Sequence, residues 1–104
     1  MKISAGIAGG RLTVMLEGEL DHHAAKSAFH TVEKLIDEYM PRDCAVNMAG
    51  LTFMDSSGIA LLLRVSSRMK ELGGRAWIED PPRQPQRVID ASGIDKIVPI
   101  AISR

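Results

Sequence analysis

Asp55-Ser56-Ser57-Gly58 is a polar elbow between two apolar segments, Leu51-Thr52-Phe53-Met54 before it and Ile59 to Leu72 after it. It gathers serine hydroxyls and a carboxylate at one turn, and few kinds of chemistry use such a turn. The plainest is structural: Asp and Ser side chains accept hydrogen bonds from the N–H groups left unpaired in the first turn of a helix. Nucleophilic catalysis is a second, with Ser56 attacking, His22 or His23 as base and Asp21 as orienter. The flanking pattern speaks against it. It is not Gly-x-Ser-x-Gly, no oxyanion-hole motif is evident, and Asp21 adjoins its histidines too closely in sequence to form a triad. Metal binding by His22, His23 and His30 is equally poor, since adjacent helical residues diverge by about 100° and His30 stands two turns away. Asp55 as an aspartyl-phosphate acceptor lacks the acidic pair that would hold its metal ion. The glycines at 9, 10, 58, 73 and 74 form neither Gly-x-x-x-x-Gly-Lys nor Gly-x-Gly-x-x-Gly, so turn and cap roles account for them.

A second elbow, Gly18-Glu19-Leu20-Asp21-His22-His23-Ala24-Ala25, repeats the design at the start of an earlier helix. The elements around the two elbows can be read in order. Ile3 to Ile7 and Leu12 to Leu16 flank Ala8-Gly9-Gly10 and predict an antiparallel hairpin. After an Asp21 cap, Ala25, Ala28, Phe29, Val32, Ile36, Tyr39 and Met40 recur at helical spacing, and Pro41 ends that helix. Asp43 to Met48 is a strand. The next helix carries Leu62, Val65, Met69 and Leu72 on one face and stops at Gly73-Gly74, where glycine supplies a left-handed turn. Arg75 to Glu79 is a strand, Pro81-Pro82 opens a shorter helix ending near Ser92-Gly93, and Ile97 to Ile100 is a last strand. Pro82 suits the first helical position, and Pro85 is tolerable only within the first turn. The order β-β-α-β-α-β-α-β requires crossovers. The fold class is therefore α/β, a mixed sheet with a hairpin edge and parallel pairs covered by helices.

At 104 residues the chain is one domain, residues 1–104, large enough for a single two-layer core. Thirteen basic residues balance thirteen acidic ones. With no basic run or aromatic ladder, direct nucleic-acid binding is not expected. The lone cysteine, Cys44, sits in a strand that would bury it, which fits a reducing cytosol. No segment has the length or character of a membrane span or a leader, so a soluble cytoplasmic protein without membrane contact is expected.

Gly-Glu-Leu-Asp-His-His at 18–23 and Phe-Met-Asp-Ser-Ser-Gly at 53–58 resemble the anti-sigma-factor antagonists of spore-forming bacteria, within the broader STAS domain family. The resemblance runs from about Leu12 to Val98, with a weaker echo at Asp90-Ala91-Ser92-Gly93-Ile94. It implies a binding protein, not an enzyme, that needs no cofactor. Its unphosphorylated form would capture an anti-sigma factor with serine kinase activity and so release a sporulation sigma factor. Phosphorylation on Ser56 would end the capture, and a serine phosphatase would reset it. Glu19, Leu20 and Asp21 would extend the contact surface, and Asp55, Ser57, Gly58 and Ile59 would present the site. For Asp21, capping and partner contact stand equally open. So do core filling and partner contact for the five apolar residues Ile59 to Leu63. Related antagonists usually continue into another helix after the final strand, whereas this chain stops at Arg104. That predicts a less covered sheet face and favours a homodimer. The rival reading is a STAS docking subunit of a stress-response or lipid-transport complex, without the switch.

Overall fold

The computed structural model describes residues 1–101. Lys2–Ala8 (β1) and Arg11–Leu20 (β2) form the antiparallel hairpin. His22–Tyr39 (α1), Asp43–Met54 (β3), Ser56–Glu71 (α2), Arg75–Glu79 (β4), Arg83–Ser92 (α3) and Ile100–Ala101 (β5) follow, with a 3-10 turn over Ile94–Lys96 before β5. The strands lie in chain order, β1-β2-β3-β4-β5. The last three pairings are all parallel, each joined by a helical crossover as parallel strands require.

Register decides which side chains meet the helices. Leu12, Cys44 and Ala76 stand abreast on β2, β3 and β4, and Val14, Val46 and Ile78 form the next such row. Because side chains alternate between faces, these rows make one apolar floor. Phe29, Val32 and Ile36 of α1, Leu61, Leu62, Val65 and Met69 of α2, and Ile89 of α3 complete the core with them. On the other face Met15 is 38% exposed. There the Arg11 guanidinium lies 4.8 Å from the centroid of the Trp77 ring, a reach from β2 to β4 that crosses β3.

Several boundaries depart from the sequence reading. β2 runs on to Leu20 and β3 to Met54, because irregular register between Met15 and Glu17 and between Gly18 and Glu19 lets the two strands stay paired past Ala49-Gly50. The last strand begins at Ile100, not Ile97. The amides of Ile97 and Val98 both donate to the Ile94 carbonyl at 2.8 Å, and Pro99 has no N–H to offer. Tyr39 and Met40 leave the apolar face of α1, exposed by 45% and 60%, since Met40 turns left-handed (φ 44°) to close the helix. Gly73 is left-handed as expected, whereas Gly74 is not. A side chain at Gly74 would collide with the Arg42 backbone, so close approach explains that glycine. Pro82 stands one residue before the first helical position, as an N-cap residue without a side-chain capping bond, and Pro85 falls within the first turn of α3, where no intrahelical amide donor is needed.

Candidate functional site

β2 and β3 are parallel and end in register, Leu20 beside Met54. The two elbows that follow are therefore neighbours at the carboxyl ends of adjacent strands, where open α/β sheets commonly place their sites. The Asp55 amide donates to the Leu20 carbonyl at 3.3 Å, tying the second elbow to the first.

The capping chemistry is divided between two aspartates. Asp21 Oδ1 accepts from the Ala24 amide at 3.0 Å. Asp55 Oδ1 accepts from the Ser57 amide at 2.8 Å, while its Oδ2 accepts from the His22 amide at 3.1 Å. One carboxylate thus serves first-turn amides of both helices, where a negative charge also meets the positive ends of two helix dipoles. This cross-bond needs Asp55 and His22 to meet in space, which no spacing in the sequence shows.

With Asp55 as the cap, Ser56 is the first helical residue of α2 and is exposed. The capping reading of the elbow belongs to Asp55 and leaves the Ser56 hydroxyl outside that role. Ser56 opens onto a groove of about 640 Å³ between α2 and α3, with Ile59, Gln84, Arg87 and Val88 among its walls. Ser57 turns to the other side, into a smaller cleft shared with His22, Lys26 and Phe29 of α1. Adjacent serines therefore face different helices.

Of the residues expected to form the contact surface, Glu19 and Ser56 are exposed, and Asp21, Asp55, Ser57 and Ile59 are half-buried. Leu20, expected to extend the surface, and Gly58, expected to help present the site, are both buried. Leu20 is 0% exposed at the end of β2. Gly58 is buried because the first turn of α2 presses onto β3: a Cβ there would collide with the Met54 side chain and stand 3.1 Å from Leu20 Cδ2. Both are packing residues that fix where the elbow sits. The apolar run divides as well. Leu61 and Leu62 are in the core, Ile59 is half-buried, and Leu63 is 39% exposed.

Two groups near the site escaped the sequence reading. Gln84 grips the end of β3, its Oε1 accepting from the Met54 amide at 2.8 Å and its Nε2 donating to the Met54 carbonyl at 2.9 Å. A glutamine side chain replaces a neighbouring strand here, and no local motif announces it. Arg64 of α2 stacks on Phe29 of α1, 3.8 Å from the ring centroid, and Arg68 donates to Asp37 at 2.7 Å. The first contact holds α1 against α2 in the cleft beside the elbows, and the second joins the same helices near their far ends. His22 and His23 stand with ring centroids 5.8 Å apart, and no group of three His, Cys, Asp or Glu among the described residues is arranged to hold a metal ion. No described helix is long and apolar enough to cross a membrane.

A mixed sheet with a capped serine elbow at the carboxyl ends of its parallel strands defines a small α/β module, and the STAS domain family matches residues 2–103. The chain belongs to that family. It is 33% identical over 91 residues, covering 88% of this chain and 78% of the relative, to an anti-sigma F factor antagonist of Paenibacillus polymyxa. Its fold matches the anti-sigma factor antagonist SpoIIAA in the unphosphorylated form with a TM-score of 0.84, at 24% identity over 99% of this chain and 89% of that one. The phosphorylated form of the Bacillus cell fate determinant SpoIIAA matches with a TM-score of 0.75, also at 24% identity, over 99% and 92% of the two chains.

Proposed function

We propose that this protein is an anti-sigma factor antagonist controlled by phosphorylation of Ser56. Unmodified, it binds an anti-sigma factor that is also a serine kinase, and the sigma factor is released. Phosphorylated, it lets go, and a serine phosphatase restores it. The observation that carries the reading is the division of labour at the elbow: Asp55 supplies the cap, and Ser56 stands exposed in the first turn of α2. The relatives named as antagonists of an anti-sigma F factor support the choice of partner.

Two physical consequences make Ser56 a switch. A phosphate adds about −1.5 to −2 charge at neutral pH, and the amides and dipole of a helix N-terminus tolerate it, so the fold persists. The partner surface fares differently. It must desolvate the new charge beside Asp55 or meet it with like charge, and about 2.8 kcal/mol of such cost weakens binding roughly a hundredfold. Glu19, Asp21 and Ile59 border the elbow and complete the proposed contact surface. The chain contributes no catalytic group of its own, because the kinase is the partner.

The test is intact mass after incubation with the cognate anti-sigma kinase and Mg-ATP, with the modified peptide fragmented. A single phosphate on Ser56 is expected, and Ser56→Ala should take up none. Ser56→Asp should keep its helix content while capturing the partner at least tenfold more weakly. A kinase active on another substrate that leaves this chain unmodified would move the reading to a STAS docking subunit without a switch.

A further inference from the structure

Among the described residues the sheet is bounded on one side by β5 and on the other by β1, seven residues long. One edge of β1 pairs with β2, and no strand among the described residues takes the other. An unpaired row of N–H and C=O groups is a template for a further strand, and natural edges are usually blunted by proline, charge or a bulge. β1 has no proline, its single charge is Lys2, and its pairing with β2 is regular throughout.

Lys-Ile-Ser-Ala-Gly-Ile-Ala is nearly symmetric about Ala5. If the strand pairs antiparallel with itself about that residue, Ile3 falls opposite Ile7 twice, Ser4 opposite Gly6, and Lys2 opposite Ala8. Two isoleucine pairs form and the two lysines never meet, which favours the pairing on both faces. Ile3, Ala5 and Ile7 register with Leu16, Val14 and Leu12, the row that faces the helices. On that side, a groove of about 300 Å³ lies between β1 and α1, lined by Met1, Ile3, Ala24, Ser27, Ala28 and Thr31. The helical residues there are short, so α1 leaves room beside Ile3. Ile7 meanwhile is 43% exposed. The Ala5-centred register delivers Ile7 of a second copy to the mouth of that groove, and the exchange is mutual.

We propose that β1 is a self-association edge through which two copies of this chain join antiparallel about Ala5, each seating Ile7 beside Ile3 of the other in the groove under α1. The two sheets become one, with all helices on the same side. Since the two sets of strands run in opposite directions, the Ser56 elbows lie at opposite ends of the joined sheet and both stay open to a partner. The occupant is a second copy because the near-symmetry of β1 about Ala5 lets strand and groove complement each other mutually in this register.

Sedimentation across a concentration series, with two variants, tests it. The wild-type chain should approach twice the monomer mass as concentration rises. Ile7→Lys places a charge at each groove mouth and should return the mass to that of a monomer, with an unchanged circular dichroism spectrum. Ala5→Cys should form an inter-chain disulfide on mild oxidation, because directly opposed strand residues have Cα separations within the range a disulfide spans. The native Cys44, buried at 0% exposure, does not compete. Three results overturn the proposal: a chain monomeric at every concentration, a dimer untouched by Ile7→Lys, or a dimer that Ala5→Cys fails to cross-link. Pairing of β1 with a foreign extended peptide while the chain alone stays monomeric is the first of these.

Discussion

Asp55 does more than its position before a helix requires. Its two oxygens take one amide from each of two helices, so the geometry of both elbows depends on one side chain whose charge suits both helix ends. That leaves Ser56 free of a structural duty and makes the proposed modification compatible with folding. Gly58 is the complementary residue, absent of side chain where Asp55 is rich in contacts. Replacing it with alanine puts a methyl group into Met54 and Leu20, both 0% exposed. Gly58→Ala should lower stability by about 1–3 kcal/mol, the usual cost of overpacking, read as a lower urea midpoint with an unchanged slope. The gain in helix propensity from glycine to alanine, up to about 1 kcal/mol, is already set against that cost and keeps the net loss toward its lower end. An unchanged midpoint would show that the first turn of α2 has slack. The capping roles of Asp21 and Asp55 were legible from residue type and place. The burial of Leu20 and Gly58 was not legible, because motif position tells nothing of which way a strand end or a helix turn faces.

The strand and helix order was legible because each element carries its own periodicity and punctuation, down to β4 over Arg75–Glu79. What local pattern hid was set by neighbours. Ala49-Gly50 looks like the end of a strand, yet β3 continues four residues beyond it because β2 continues alongside. That extension carries the elbow to its place, and its free side is held by Gln84 of α3 through two hydrogen bonds to the Met54 backbone. α3 thereby acts as a clamp on the strand end, not only as cover for the sheet. Gln84→Ala should leave the Met54 amide and carbonyl without these partners, at about 1–3 kcal/mol for buried polar groups. The distinctive reading is local. In hydrogen exchange the Met54 amide should lose protection relative to those in the middle of β3, such as Val46. Equal loss at both would mean that Gln84 contributes only to global stability and that the strand end is held by β2 alone.

At the scale of the whole molecule the two faces of the sheet carry separate reporters of one core. Cys44 lies on the helix-covered face of the central strand at 0% exposure, and burial pushes its thiol pKa up from 9.0 to about 12. Trp77, the only tryptophan, lies on the opposite face of the next strand, half-buried under Arg11. If helices and sheet share one cooperative core, these probes must lose their environments together. Cys44 labelling by a thiol reagent and Trp77 fluorescence should therefore give the same urea midpoint, and below it labelling should be limited by unfolding. Labelling that precedes the fluorescence change would show helices lifting from an intact sheet. The same thiol fixes the sign of a pH effect. The folded state holds the Cys44 proton more tightly than the unfolded state, so its contribution is fully present below pH 9 and is lost as pH rises from there toward about 12. Cys44→Ala removes that titration. The difference between its alkaline stability curve and that of the wild type should thus be flat below pH 9 and slope above it, where a flat difference throughout would mean that the core admits water at its central strand.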